Sequence, residues 1–392
     1  MEITQKELSY WIAFDRLKGL GLGSKRIYEL YNHFNSLEIA WHADKTDLLK
    51  TSSIPQQSIE DFLKIRNSIN TEIEIERLEK YNAKAFPRGS KYYPTICEAL
   101  KNPPLLLYVR GNWDLSWYEK SIAIVGTREA TSYAMEMTAK ISRELASQGF
   151  TIITGIARGI DTAAHKGAFL EDKNRSVAVM ASGVDEIVPK SNQSIYDLLI
   201  KKGSVISEYP IGTKPEKGYF PLRNRIIAAL SQAVLVSEAK EKSGALITAE
   251  YALGLNRRVF CLGGNANNPQ NTGCYKWIRK GMATLITSSA DIIEEMEMKQ
   301  ESKIIVDNNQ LKLKFVEKPQ TSASPIAPTS VSNLNETERK IYEEILGRQS
   351  LRIDDLIDIT GLPIAKINSA IMTLNLKKLV KRNTKGELIL NN

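Results

Sequence analysis

The sequence has 392 residues, 42% of them hydrophobic and 25% charged, with a formal net charge of +8. This length exceeds a single ordinary core, so two or three domains are expected, and no uncharged apolar run of about 18 residues offers a membrane span. Three widely spaced cysteines (Cys97, Cys261, Cys274), three histidines and no Cys-x-x-Cys pair argue against a disulfide framework and against a metal centre.

The opening MEITQKELSYW is polar and acidic, which argues against a signal peptide, and the cysteines read as unpaired thiols of a reducing cytoplasm. Residues 1–75 read as a helical domain containing LKGLGLGSKRIYELYNHF (17–34). Gly21 and Gly23 there fit a helix–hairpin–helix turn, whose backbone N–H groups, followed by Lys25, suit a phosphate; a plain tight helix connection explains them too. A second domain, 76–297, begins with short apolar runs and turns such as NPPLLLYVRGNWD. From Ser121 the apolar runs SIAIVG, FTIITG, SVAVMAS, SVISEYP, AVLVSEA, RVFCLGG and ATLITS follow, most separated by helical patterns. That alternation predicts an α/β fold with a doubly wound parallel sheet. Residues 298–333 have the Ser-, Pro-, Lys- and Gln-rich composition of a linker, and 334–392 read as helix–helix–turn–helix plus a hairpin, the spacing of a winged helix.

In a doubly wound sheet, ligands bind beyond the carboxyl ends of the strands. Here Arg128 follows the first run, Arg158 the second, Lys217, Phe220, Arg223 and Arg225 the fourth, and Lys242 the fifth; Gly126 and Gly244 let backbone approach a ligand closely. The stretch GYFPLRNRIIAALS is the most informative. A helix expected from about Asn224 puts Arg223 and Arg225 at its positive end, unfavourable by about 0.3–1 kcal/mol each unless an anion lies between them. The alternative is that Phe220 and Leu222 fill the core while the arginines pair with Glu208 or Glu238.

A dinucleotide fits poorly, because Gly126 stands alone where G-x-G-x-x-G is required, and no phosphate-binding G-x-x-x-x-G-K-[ST] exists. No cofactor is expected. Ser182 and Ser243 have no evident histidine partner; His165 falls at a helix start, Asp161 reads as a helix cap and Glu250 as structural. Single-stranded nucleic acid fits better, since such sites join a cationic groove to ring faces that stack bases at about 1–3 kcal/mol each. Lys217, Tyr219, Phe220, Arg223 and Arg225 supply both within one short stretch.

The motifs VGTREAT, TGIARGIDTAAHKGAF, ASGVDEIVPKSNQSIYD, ISEYPIGTKPEKGYFPLRNRIIAALS, EAKEKSGALITAEYALGLNRRVF and NTGCYKWIRKGMATLITSSADII occur in one order. Together they resemble the DNA-processing protein A (DprA/Smf) family nearly continuously over residues 80–293. The resemblance implies an extended Rossmann-like domain that binds single-stranded DNA without catalysis. It also implies a homodimer that protects incoming strands and loads the RecA recombinase during natural transformation. Carried over by motif, Arg128, Lys217, Phe220, Arg223, Arg225 and Lys242 would line the DNA pocket, with Arg158 beside them; Thr127 stands where the family often has Ser. The C-terminal segment resembles the winged helix of some relatives. In it Lys366, Asn368 and Thr373 lie on the exposed face of the third helix and Lys377, Lys378, Lys381 and Arg382 come late, which favours protein contact or weak DNA binding over sequence reading. Two other readings are a transcription regulator acting through that winged helix and a nucleoside-monophosphate phosphoribohydrolase of the lysine-decarboxylase-like fold. The second would use Gly244 and Glu250, but Lys242-Ser243-Gly244 replaces its double-glycine turn.

Overall fold

A computed structural model describes residues 3–51, 54–170, 175–301 and 334–348, and beyond these 351, 353–362, 366–367, 370–371, 373–374, 377, 379–382 and 388–390. Residues up to Lys303 form one compact unit and the remainder a second.

Among the described residues, six α-helices open the chain: α1 (Gln5–Arg16), α2 (Ser24–Phe34), α3 (Leu37–His42), α4 (Lys45–Leu49), α5 (Gln56–Ile65) and α6 (Glu72–Lys80). α1 begins where the Thr4 hydroxyl accepts the Glu7 N–H at 3.1 Å, and the Glu7 carboxylate in turn accepts the Leu37 and Glu38 N–H groups that start α3. Phe14 stacks on Phe62 at 5.1 Å and meets Trp41 edge-on at 5.0 Å. Such aromatic pairs add to the burial that holds these short helices together, none of which would persist alone.

Nine strands form one sheet: β1 (Ala83–Pro87), β2 (Leu106–Gly111), β3 (Ser121–Val125), β4 (Thr151–Thr154), β5 (Ser176–Val179), β6 (Ser204–Ser207), β7 (Ala233–Val236), β8 (Arg258–Leu262) and β9 (Thr284–Ile286), in the order β1-β2-β6-β5-β4-β3-β7-β8-β9. β3 to β9 are parallel, as the seven apolar runs predicted, and β1 and β2 are antiparallel additions at one edge. β3 to β7 are buried from end to end, which is why their middles read as runs of Val, Ile, Ala and Leu, flanked by buried Ser or Thr, rather than as an alternation.

The intervening helices are α7 (Ser132–Ser147), α8 (Ile160–Ala168), α9 (Gln193–Lys202), α10 (Tyr219–Ala229), α11 (Gly244–Gly254), α12 (Thr272–Arg279) and α13 (Ser289–Glu301). α7 and α8 bury Ile141, Leu145, Ile160 and Ala164 against one face of the sheet. α10, α11 and α12 bury Ile226, Leu246, Ala249 and Trp277 against the other. The chain lays down β3, β4, β5 and β6 in one direction, then returns to place β7 on the free side of β3. That reversal opens a crevice at the carboxyl ends of β3 and β7. α13 continues to Glu301, so the segment read as linker starts later than residue 298; residues 302–333 lie outside the described residues.

In the second unit α14 (Glu336–Arg348) and α15 (Ile353–Thr360) precede helical residues at 366–367, 370–371 and 373–374 and an antiparallel pair, β10 (Val380–Arg382) and β11 (Leu388–Leu390). Ile341, Ile345, Leu356, Ile367, Leu374 and Leu388 form its core. α14 is started by a reciprocal cap: the Asn335 side chain accepts the Glu338 N–H at 2.8 Å, and the Glu338 carboxylate accepts the Asn335 N–H at 3.3 Å. Lys366 is exposed and Thr373 half-buried, while Asn368 and Lys378 lie outside the described residues. Lys377 is an ion-pair partner of Glu338 at 2.7 Å.

Candidate functional site

The helix expected from Asn224 begins five residues earlier, at Tyr219. Two features extend it. Tyr219 stacks on Tyr209 with ring centroids 4.3 Å apart, and Pro221 falls in the first turn, where no backbone N–H is needed. Arg223 and Arg225 therefore occupy the second turn, about 200° apart around the axis, and take different directions. Arg225 pairs with the Glu208 carboxylate and donates to the Asn102 carbonyl at 2.9 Å. It lines neither cavity described below. Arg223 is buried, donates to the Val179 carbonyl at the end of β5, and faces Asp161. Leu222 is half exposed rather than a core plug.

Two adjoining cavities, of about 380 and 430 Å³, occupy the crevice, and both are walled by Arg128, Glu129, Ala157, Phe220 and Arg223. The first lobe continues over Ile156, Arg158, Met180, Val188, Pro189 and Pro215, an apolar surface apart from the arginine. The second runs over Gly126, Thr127, Asp161, Asn224, Ser243 and Gly244, and is the more polar. Between the lobes the Arg128 guanidinium lies 5.2 Å from the centroid of the Phe220 ring. The ring thus presents a flat, half-buried face backed by a cation.

Of the sequence-based candidates, Gly126, Arg128, Arg158, Phe220, Arg223 and Gly244 come together here. Lys217 and Lys242 are exposed on adjacent segments and line neither cavity. The two glycines differ in what they do. A Cβ on Gly126 would lie 2.5 Å from Ile160, so that residue serves the packing of α8 against β3; a Cβ on Gly244 would meet nothing within 4 Å, so that position is open to a ligand. In the N-terminal helices, Gly21 adopts φ 78°, its carbonyl accepts from Arg26 at 2.5 Å, and a Cβ there would stand 2.6 Å from Ser58. Lys25 is paired with Glu29 at 4.0 Å. Gly23 precedes α2, and a Cβ there would meet nothing within 4 Å, so the two glycines make the tight connection that both readings of this turn require.

The crevice contains more acid than expected. Asp161 lies within α8 and does not cap it; its carboxylate accepts the Ala157 N–H at 3.1 Å and faces Arg223. Burial pushes this carboxyl above the ordinary Asp range while Arg223 opposes the shift, and burial lowers Arg223, with neighbouring Arg128 adding repulsion. Glu129 is exposed on both lobes. The sequence marked Asp161 only as a helix cap and Glu129 not at all: Glu129 merely follows Arg128, and Asp161 meets Arg223 only through the fold.

Glu238, one of the acids considered as an arginine partner, has another task. Its carboxylate accepts the Thr131 N–H at 2.8 Å, the Thr131 hydroxyl at 2.9 Å and the Asn268 amide at 2.6 Å, and its carbonyl accepts the Thr127 N–H at 2.8 Å. It thus ties the segment after β3 to the segment after β7. Ser182 donates to the Glu186 carbonyl at 2.7 Å, and Ser243 caps α11 through the Ala245 N–H. Glu250 is exposed on α11 and lines neither cavity. Among the described residues no cluster of His, Cys, Asp or Glu could hold a metal ion, and no helix is long and apolar enough to cross a membrane.

His165 lies in the middle of α8, not at its start, and is fully buried between the Gly155 carbonyl and the Ser176 hydroxyl, each at 2.8 Å. Burial lowers its pKa from 6.5 to about 4. A depressed value means the folded state holds neutral imidazole, so its stability contribution is present above pH 6.5 and lost as pH falls toward 4. The loss amounts to about 3 kcal/mol. Urea midpoints should fall over that window, and less steeply in His165→Gln; an equal slope in the two proteins would assign the acid sensitivity elsewhere.

Residues 84–297 match the family model of DNA recombination-mediator protein A, and residues 325–384 that of the DprA winged helix domain. A Smf protein of Synechocystis sp. is 33% identical over 393 residues, spanning 97% of this chain and 98% of its own. The crystal structure of DprA from Streptococcus pneumoniae is similar with a TM-score of 0.64 and 31% identity, over 75% of this chain and 99% of that one. DNA processing protein A from Helicobacter pylori, whose structure concerns its single-stranded DNA binding mode, is similar with a TM-score of 0.50 and 28% identity, over 56% of this chain and 97% of that one.

Proposed function

Because the chain belongs to the DNA processing protein A (DprA/Smf) family, we propose that its crevice binds single-stranded DNA. The observation that carries this reading is the Phe220 ring, set between two lobes and backed by Arg128, with Arg158 and Arg223 on the walls. Unpaired bases stack on such a face, while the guanidinium groups and the open backbone at Gly244 suit phosphates. Lys217 and Lys242, exposed on adjacent segments, would follow the strand as it leaves the crevice. Arg225 serves by fixing α10 through Glu208 rather than by touching DNA. The protein would shield incoming strands and load a RecA-type recombinase onto them during natural transformation, acting as a homodimer in the cytoplasm. The recombination-mediator character of the family supports that wider role.

The test is fluorescence anisotropy of labelled single- and double-stranded oligonucleotides at several salt concentrations, on wild type and on Arg128→Ala/Lys217→Ala. Preference for single strands is expected, with affinity lost in the double variant and the salt slope reduced by about 0.7 for each phosphate contact removed. Equal or tighter duplex binding, indifferent to both substitutions, would refute the reading.

A further inference from the structure

The loop from Glu208 to Gly218, which leads into α10 and carries Pro215 and Lys217, is anchored from outside the sheet. Arg16, the last residue of α1, donates from Nη2 to the Ile211 carbonyl at 2.9 Å and from Nε to the Glu74 carboxylate at 2.7 Å. Glu74 is buried on α6 and also accepts from Arg77 at 2.6 Å, so the guanidinium is held from behind and aimed at the loop. Ile211 itself is buried in the same apolar cluster as Trp11 and Phe14, and so are Ile156 and Met180 from the wall of the first lobe. On its other side the loop is held by Asp185, whose carboxylate accepts the Gly212 N–H at 2.9 Å, and by the Gly183 N–H donating to Thr213 at 2.9 Å. Gly212 sits at φ 82° between these anchors, at the turn.

We propose that Arg16 is a positioning residue for the DNA-binding crevice: from the N-terminal helices it fixes the loop that delivers Pro215, Lys217 and Phe220, without touching the strand. The claim rests on the reading of the crevice given above. A planar guanidinium can satisfy Glu74 and the Ile211 carbonyl at once through its separate Nε and Nη2 donors, whereas the three donors of a lysine ammonium radiate from a single nitrogen and cannot span the two acceptors in that rigid geometry. A loop freed at Ile211 would sample many placements of Lys217, and only a fraction of them would meet the strand, which lowers apparent affinity by that fraction.

The experiment compares the full chain with Arg16→Met, Arg16→Lys and Glu74→Gln, the last keeping the size of the brace. Oligonucleotide anisotropy across a salt series is combined with hydrogen exchange of the Gly212 and Thr213 amides measured without DNA. The expected results are faster exchange in all three variants and single-strand affinity about 2- to 30-fold weaker for Arg16→Met. Arg16→Lys should rescue poorly, and the salt slope should stay that of wild type because no phosphate contact is lost. A merely structural contact would lower the melting temperature and leave affinity unchanged, which would overturn the proposal. A slope reduced by about 0.7 would also overturn it, since Arg16 would then be a phosphate ligand. If the wild type itself failed to bind single strands, the reading of the crevice would fall, yet unchanged exchange at Gly212 would still be needed to dismiss Arg16 as the loop's anchor.

Discussion

Arg223→Met is expected to destabilise the protein by about 3 kcal/mol, because it leaves the buried Asp161 carboxyl without the cation that opposes its burial and the Val179 carbonyl without its donor. The lost groups are specific. Asp161 would face a thioether across Gly155, and the Val179 carbonyl would lose its donor. Asp161, already pushed up by burial, would rise further without the opposing cation. A raised carboxyl favours the folded state once it is protonated, so the defect should shrink as pH is lowered from 8 toward 5. Urea melts of wild type and variant at both pH values measure this. A defect of the same size throughout would mean that Asp161 and Arg223 do not act as a pair. Because Arg223 is a wall of both cavities, single-strand binding should fall as well in the fraction that remains folded.

Phe220→Ala should weaken single-strand binding by about 1–3 kcal/mol, some 5- to 150-fold, with little change in melting temperature. The ring is half-buried at the boundary of the lobes, so few core contacts are lost with it. Arg128 would lose the aromatic face that orients it. The salt slope should stay near that of wild type, because no charge is removed. Phe220→Trp, which keeps a stacking surface, should retain affinity, and Leu222→Ala, half exposed two residues on, should be silent. Parallel anisotropy titrations of the three variants decide the matter: equal losses for Phe220→Ala and Leu222→Ala would mean that bases do not stack in this crevice.

The sheet was legible because β3 to β9 are laid side by side, and the strands from β3 to β7, covered on both faces, need apolar runs with turns between them. Arg128, Arg158 and Phe220 were legible for the same reason: once a parallel sheet is inferred, residues just beyond its strands are forced to one rim. The start of α10 was not. It depends on Tyr219 finding Tyr209 across a turn, and Pro221 suggests an interruption when it is in fact tolerated in a first turn. That displacement is what separates Arg225 from Arg223, since two residues along a helix reverse direction. The encounter of Asp161 with Arg223, and of Arg16 with Ile211, joins segments far apart in the chain. No local periodicity encodes such meetings.

Glu238 gives the crevice a mechanical character. With its carboxylate and carbonyl both engaged across the boundary between the two halves of the sheet, the lips of the opening are riveted to each other. Gaping would break several bonds to a carboxylate that is 2% exposed, leaving it stranded without water. The aperture is therefore set before any ligand arrives. A single strand bound there as proposed would have to supply the bending itself, and ionic strength, rather than a hinge, would be the means of letting it go.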